Sequence, residues 1–174
     1  MRKEWISDLR RRDKEIASHA EVEELLSNAL VGRLGTCSDN IPYITPVNYV
    51  YDNYKIYFHS AHEGRKIENI RHNQQVCFEI DKIISIIPGM RMPCGSTAEY
   101  KSVIMFGDIR VVADIDEKTV ALNKLIEKYA PEAPRLPHSS DAAERTNVLV
   151  IDVKEITAKQ SPIGKKVVIK PTGK

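Results

Sequence analysis

Residues 42–66 read PYITPVNYVYDNYKIYFHSAHEGRK and contain two strand-like runs, a tight turn and a polar junction into a helix. Residues 42–51 are rich in β-branched and aromatic side chains and end at Asp52-Asn53, a hairpin signal. Residues 55–60 alternate Ile56 and Phe58 against Tyr57 and His59, the period of a strand with two different faces. Gly64 then opens a short helix over residues 65–72, with Ile67 and Ile70 on one side and Asn73 suited to its C-terminal end.

Upstream, residues 33–38 form another short strand pattern and stop at the turn pair Asp39-Asn40. Three consecutive runs joined by tight turns predict an antiparallel meander. Before them, Ser18 and Glu21 make a capping box, and Val22, Leu25, Leu26 and Ala29 follow on one helical face, with Gly32 as the expected stop. Downstream, residues 76–80 predict a fourth strand. Residues 82–98 carry Pro88, Gly89, Pro93 and Gly95 and predict a loop. Residues 100–113 read as a long strand, bent or bulged at Gly107. Asp116 is the expected cap of a helix with Leu122, Leu125, Ile126 and Tyr129 on one face. An irregular stretch with Pro131, Pro134 and Pro137 follows. Residues 147–156 form a last strand, apolar on both faces and therefore central.

That count is six strands and three helices. Hairpin-linked strands argue against a doubly wound sheet, so the expected class is mainly β: a small antiparallel barrel with helices at its ends. The expected organisation is one domain over residues 1–158, followed by a basic arm or tail over residues 159–174 with Pro162 and Pro171.

Composition narrows the function. The chain has 174 residues, 42% hydrophobic and 29% charged, with a net charge of +2, too little surplus for a dedicated nucleic-acid binder. The basic N-terminus (Arg2, Lys3, Arg10, Arg11, Arg12, Lys14) reads as a solvated helix face. No apolar run reaches the roughly 20 residues of a membrane span, and the N-terminus lacks the apolar core of a signal peptide. The expected location is therefore the cytoplasm. Cys37, Cys77 and Cys94 are odd in number and form no C-x-x-C, as in a reducing compartment. Cys37 and Cys77 read as core thiols, and Cys94 sits in the Pro/Gly-rich loop.

No G-x-G-x-x-G, P-loop or G-x-S-x-G occurs. The richest polar constellation is His59-Ser60-Ala61-His62-Glu63-Gly64-Arg65-Lys66, running from a strand end into a helix start. Such a junction offers free backbone N–H groups and a favourable dipole to an anion. Arg65, Lys66 and the Ser60 hydroxyl would complete a site for one phosphate group. The alternative is a solvated helix start with two surface cations. His59 and His62 lack a third ligand nearby in sequence, so no metal is expected. Asn48, polar among apolar neighbours, either offers hydrogen bonds to a planar ring or satisfies a local bend after Pro46.

The order of these pieces resembles the pyridoxamine 5′-phosphate oxidase-like FMN-binding superfamily, and more narrowly its nitroimidazole-resistance branch. The resemblance is carried by Gly32-Arg33-Leu34, by residues 42–49, and by Tyr57-Phe58-His59-Ser60-Ala61-x-x-Gly64-Arg65-Lys66. Further along it rests on Asn73-x-x-Val76-Cys77-Phe78-Glu79, Tyr100-x-Ser102-Val103-x-x-x-Gly107 and Glu117-Lys118. It covers roughly residues 5–155 and departs at 82–98, so substrate identity stays open. It implies a six-stranded, Greek-key-like split barrel that dimerises around two FMN sites. Pro46, Val47, Asn48 and Tyr49 would line the flavin ring. Ser60, Arg65 and Lys66 would meet the phosphate. His59 would lie beside the ring or the substrate as the catalytic residue, and Tyr100 and Ser102 would approach across the dimer. The implied activity is reduction of a small oxidised or nitroaromatic compound, with NAD(P)H or another donor. The alternatives are a non-catalytic flavin sensor and a haem protein with His59 or His62 as axial ligand.

Overall fold

A computed structural model of the chain describes residues 12–16, 18–89, 96–138 and 140–161. Cys94, the loop residues 90–95, most of the basic N-terminus and the tail beyond Ser161 lie outside the described residues.

Among the described residues, seven antiparallel strands form one sheet: β1 (Gly32–Ser38), β2 (Ile41–Val47), β3 (Val50–Asp52), β4 (Lys55–Ser60), β5 (Gln75–Ile87), β6 (Thr97–Val111) and β7 (Asn147–Gln160). Their order across the sheet is β2-β1-β5-β6-β7-β4-β3. Four α-helices among the described residues flank it: α1 (His19–Asn28), α2 (Arg65–His72), α3 (Ile115–Tyr129) and α4 (Asp141–Arg145). The mainly-β class with flanking helices is the one expected, with seven strands where six were counted. None of the described helices is long and apolar enough to cross a membrane.

The additional strand arises because the run 42–51 is two strands. The turns on either side are hairpins: Asp39, Asn40, Asn53 and Tyr54 all have positive φ, the left-handed conformation that matches the twist of paired strands. The second turn thus centres on Asn53-Tyr54, one residue later than Asp52-Asn53. The two hairpins are not a meander, because β2 and β3 occupy opposite edges of the sheet. Only Asn48 and Tyr49 separate them, and two linking residues span roughly 10 Å at most. The sheet must therefore curl until its edges approach each other, which makes it a barrel. Pro42 and Pro46 lie on edge strand β2, where a missing backbone donor costs no ladder bond.

Other expectations shift for identifiable reasons. Residues 82–98 are not simply a loop. β5 runs on to Ile87, and β6 begins at Thr97 and pairs back along it, with a bulge between Ile83 and Ser85. Gly32 is not the stop of α1, whose cap is Ala29. It opens β1, where an added Cβ would lie 2.0 Å from the Phe78 ring. Asp114 rather than Asp116 caps α3, its carboxylate accepting from the Glu117 N–H at 2.7 Å. Gly107 does mark a bulge between β6 and β7: a Cβ there would lie 2.4 Å from the Asp152 carbonyl oxygen. β7 continues past residues 156 and 158 to Gln160.

The barrel interior packs Leu34, Ile56, Phe58, Phe78, Ile80, Met105, Ile109, Leu149 and Ile151. α1 and α2 add Val22, Leu26, Ile67 and Ile70 to it. A second, smaller core lies outside the barrel, where Ala121, Leu122 and Leu125 of α3 cover Val50, Tyr57, Val148 and Val150. A network on that side joins Arg110 to both carboxylate oxygens of Glu117, at 2.9 and 3.2 Å, with the Tyr57 hydroxyl donating at 2.9 Å.

Candidate functional site

The strand-to-helix junction is built by the end of one ladder. β4 leaves β7 at the pair Ser60–Asn147, and the Asn147 amide donates to the Ala61 carbonyl at 3.1 Å. His62 Nε2 lies 3.0 Å from the Arg145 carbonyl, an acceptor only, so that nitrogen carries the proton. Gly64 turns the chain at φ 112°, with nothing within 4 Å of where a Cβ would stand. α2 then starts without a side-chain cap, whereas Ser18, Asp114 and Ser140 cap α1, α3 and α4. The first intrahelical bonds come from Ile67 and Glu68 N–H to the Gly64 carbonyl, so the turn before them contributes free donors and a positive dipole end.

Two cations stand at that start. The Arg65 guanidinium lies 5.1 Å from the centre of the Tyr43 ring, and Lys66 Nζ lies 5.7 Å from that of Phe58. Neither has a carboxylate partner among the described residues, in contrast to Arg33, which binds both Glu79 and Asp81. Burial lowers the pKa of the Lys66 ammonium. A half-buried ammonium without a counter-ion is costly, and an incoming anion would relieve that cost. Two positions from Tyr43 on β2, the Thr45 hydroxyl is buried with no hydrogen-bond partner among the described residues. The chemistry this junction can perform is capture of a small anion such as one phosphate group.

The corner between β2 and β3 places its residues unequally. Val47 and Tyr49 are buried; the Tyr49 ring packs edge-on to Phe78 at 4.9 Å, and its hydroxyl donates to the Leu26 carbonyl at 2.7 Å. Pro46 and Asn48 are exposed, and the Asn48 amide donates to the Leu30 carbonyl at 3.2 Å. Side chains of this segment that face outward are therefore those of Pro46 and Asn48, while the Tyr49 N–H and carbonyl both engage the Tyr129 hydroxyl. His59 and Ser60 alternate along β4. His59 shares the parity of Tyr57, which faces α3; it is exposed, with no hydrogen-bond partner among the described residues. Ser60 shares the parity of Phe58. Tyr100 and Ser102 sit at the end of β6 where Lys101 and Ser102 pair with Gln160 and Lys159 of β7, whereas β4 leads into α2 from the Asn147 end of β7, so the chain alone does not bring them to α2. Tyr100 is tied instead to Ser161, whose N–H donates to its carbonyl at 2.9 Å.

A groove of about 800 Å³ runs over the outer face of β2, β1, β5 and β6. Gly35, Ile44, Cys77 and Phe106 make its apolar floor, and Tyr43, under Arg65, lines it too. Ile44 is 67% and Phe106 46% exposed, a large apolar surface to leave in water. Arg33 with Glu79 at one place and Lys154 with Asp108 at another give the groove charges of both signs. Burial, and then the neighbouring Glu79, raise the Cys77 thiol above its usual pKa, so this thiol is protonated. Cys37 and Cys77 are free thiols on this face. The two cysteines, expected in the core, and Gly35 and Ile44, which no sequence signal marks, reach this face because strand register decides which of two apolar faces points outward. Among the described residues no three His, Cys, Asp or Glu side chains cluster as a metal would require.

Known proteins share this fold. The family model described as pyridoxamine 5′-phosphate oxidase matches residues 18–160. An uncharacterized protein of Rhizobium meliloti (strain 1021) is 27% identical over 92 residues, 53% of each chain, so the match spans about half of that relative. A candidate 5-nitroimidazole antibiotic resistance protein from Bacteroides thetaiotaomicron superposes with a TM-score of 0.72 at 24% identity, covering 84% of this chain and 86% of that one. An FAD and haem binding protein from Mycobacterium smegmatis superposes with a TM-score of 0.74 at 17% identity, covering 85% and 73%. At these identities the two structures share the fold.

Proposed function

The chain belongs to the pyridoxamine 5′-phosphate oxidase family, and on that footing we propose that it binds FMN between two copies of itself and works as a flavin-dependent reductase. The observation that carries the proposal is the uncapped start of α2, with Arg65 and Lys66 unpaired among the described residues beside an apolar groove. One helix start and two cations suit one phosphate, which favours FMN over the diphosphate of FAD. The flavin-binding description of the M. smegmatis neighbour supports the cofactor class.

In this reading Arg65, Lys66, the Ser60 hydroxyl and the first N–H groups of α2 hold the phosphate. Pro46, Asn48 and the backbone of Val47 and Tyr49 line the ring, while Tyr49 keeps that segment rigid through its buried side chain. When bound, FMN would supply the redox chemistry, hydride transfer between NAD(P)H or a similar donor and a small oxidised compound such as a nitroaromatic. His59, exposed and without a partner among the described residues, is the residue available to give a proton to that compound.

A second copy has two roles. It covers Ile44, Phe106 and the groove floor, and it brings Tyr100 and Ser102 of one chain toward the α2 start of the other. A twofold axis suits a patch with both charge signs on its rim. The free Cys37 and Cys77 thiols suit a reducing, cytoplasmic setting.

The test is direct. Purified protein titrated with FMN, FAD and riboflavin should quench FMN fluorescence most strongly, and the loaded protein should oxidise NAD(P)H faster when a nitroimidazole is added. Tight FMN binding without turnover would make it a sensor. A Soret-type band in place of flavin absorbance would shift the reading to haem, with His59, which has no partner among the described residues, as the axial ligand.

A further inference from the structure

The last turn of α3 reaches across the molecule to the corner that joins the two sheet edges. Asn48 and Tyr49 lie between β2 and β3 and are outside either ladder, so their backbone groups need other partners. One hydroxyl supplies them for Tyr49. The Tyr49 N–H donates to Tyr129 Oη at 2.8 Å, and Tyr129 Oη lies 2.8 Å from both the Tyr49 and the Leu30 carbonyl oxygens. With a single proton to give, the hydroxyl shares it between those two carbonyls while accepting from the amide. The neighbouring Lys128 adds a second tie, donating to the Ala29 carbonyl at 2.7 Å with its ammonium 4.2 Å from the centre of the Tyr49 ring. Asn48 joins the same knot through its bond to the Leu30 carbonyl. Three segments far apart in sequence therefore meet at Tyr129: the α1–β1 link, the β2–β3 corner and the end of α3.

We infer that Tyr129 is a positioning residue for the flavin, its hydroxyl fixing the backbone of Asn48 and Tyr49 in the orientation that meets the ring. This rests on the proposed flavin site at residues 46–49. Tyr129 does not touch the ring. It acts through the corner, so its effect falls on the ring half of the cofactor and spares the phosphate half at α2.

Tyr129→Phe removes the hydroxyl and keeps the aromatic packing. Titration of FMN and riboflavin into wild type and variant should show both ligands weakened by the same factor, roughly 5- to 150-fold. That fold-change converts to about 1–3 kcal/mol, the free energy that binding must supply to order a corner no longer held by the hydroxyl. The absorption band of the bound flavin should shift toward that of the free cofactor. Glu117→Gln, which breaks the distant Arg110 pair, serves as a matched control: it lowers the melting temperature without changing flavin affinity or spectrum. If Tyr129→Phe behaves like this control, with a lower melting temperature but unchanged affinity and band, the inference is overturned and the flavin reading stands. If wild type binds neither flavin, both fall together. Should the variant not fold, amide hydrogen exchange on wild type replaces it. FMN should slow exchange at residues 48–50 and at the end of α3 together, and no slowing there at saturating FMN overturns the inference.

Discussion

Lys66→Met is the sharpest test of the anion site because it separates charge from packing. The methionine keeps an apolar stem over the Phe58 ring and removes the ammonium. In the wild type that ammonium is half-buried, has no carboxylate partner among the described residues, and has its pKa lowered by burial. Two effects of opposite sign follow. Losing a charge-assisted contact to phosphate is worth about 1.5–3 kcal/mol, so FMN affinity should fall roughly 10- to 150-fold. Riboflavin, which has no phosphate, should bind the variant as it binds wild type. The cofactor-free protein should meanwhile become no less stable, because the folded state no longer carries an uncompensated ammonium. Isothermal titration with both ligands and thermal melts of the apo protein read all three quantities. Equal weakening of FMN and riboflavin, or an FMN affinity unchanged in a folded variant, would refute the phosphate assignment.

The pH dependence should carry the same signature. A lysine with a lowered folded-state pKa binds fewer protons folded than unfolded, so its contribution to apo stability rises as pH climbs through the folded pKa toward the unfolded value. FMN affinity should run the other way over that window, dropping as Lys66 loses its charge at a lower pH than an ordinary lysine; flat FMN affinity across it would count against Lys66 as a ligand. Gly107→Ala should destabilise the barrel by about 1–3 kcal/mol or more, since its Cβ meets a backbone oxygen and not a movable side chain. Chemical denaturation measures this, and a neutral result would mean the β6–β7 bulge can open. Sedimentation at falling protein concentration should show FMN strengthening self-association by mass action. A monomer that binds FMN as tightly as the dimer would remove the partner chain from the site.

Much of the candidate site was legible in the sequence because its signals are local. Gly64 before an apolar i, i+3 pair, with Asn73 after it, marked α2 at its observed bounds, since capping and helical spacing involve residues within four positions of each other. Arg65 and Lys66 were identifiable as a pair of cations at that helix start for the same reason. Tyr49 was legible as a candidate but not as a core side chain, because a run of β-branched and aromatic residues looks the same whether it is one strand or two. The Tyr129 hydroxyl offered no sequence signal at all: in the helix pattern it is one more apolar-face residue. Its partners lie 80 and 99 positions away in sequence.

The sequence by itself determined the mainly-β class, the hairpin turn at Asp39-Asn40, the Ser18 cap and the bulge at Gly107. Each is a short-range consequence of backbone sterics and side-chain period. Tertiary structure decided that β2 and β3 go to opposite edges, that residues 82–87 continue β5 along β6, and that Gly32 serves the Phe78 ring instead of ending a helix. It also chose Asp114 over Asp116, because the helix can begin only where β6 lets go of the sheet. The last tie there is the Val112 N–H to the Val148 carbonyl, at 2.8 Å. These outcomes depend on which strand finds which neighbour. That pairing is settled by burial of faces across the whole barrel, and no window of adjacent residues contains it.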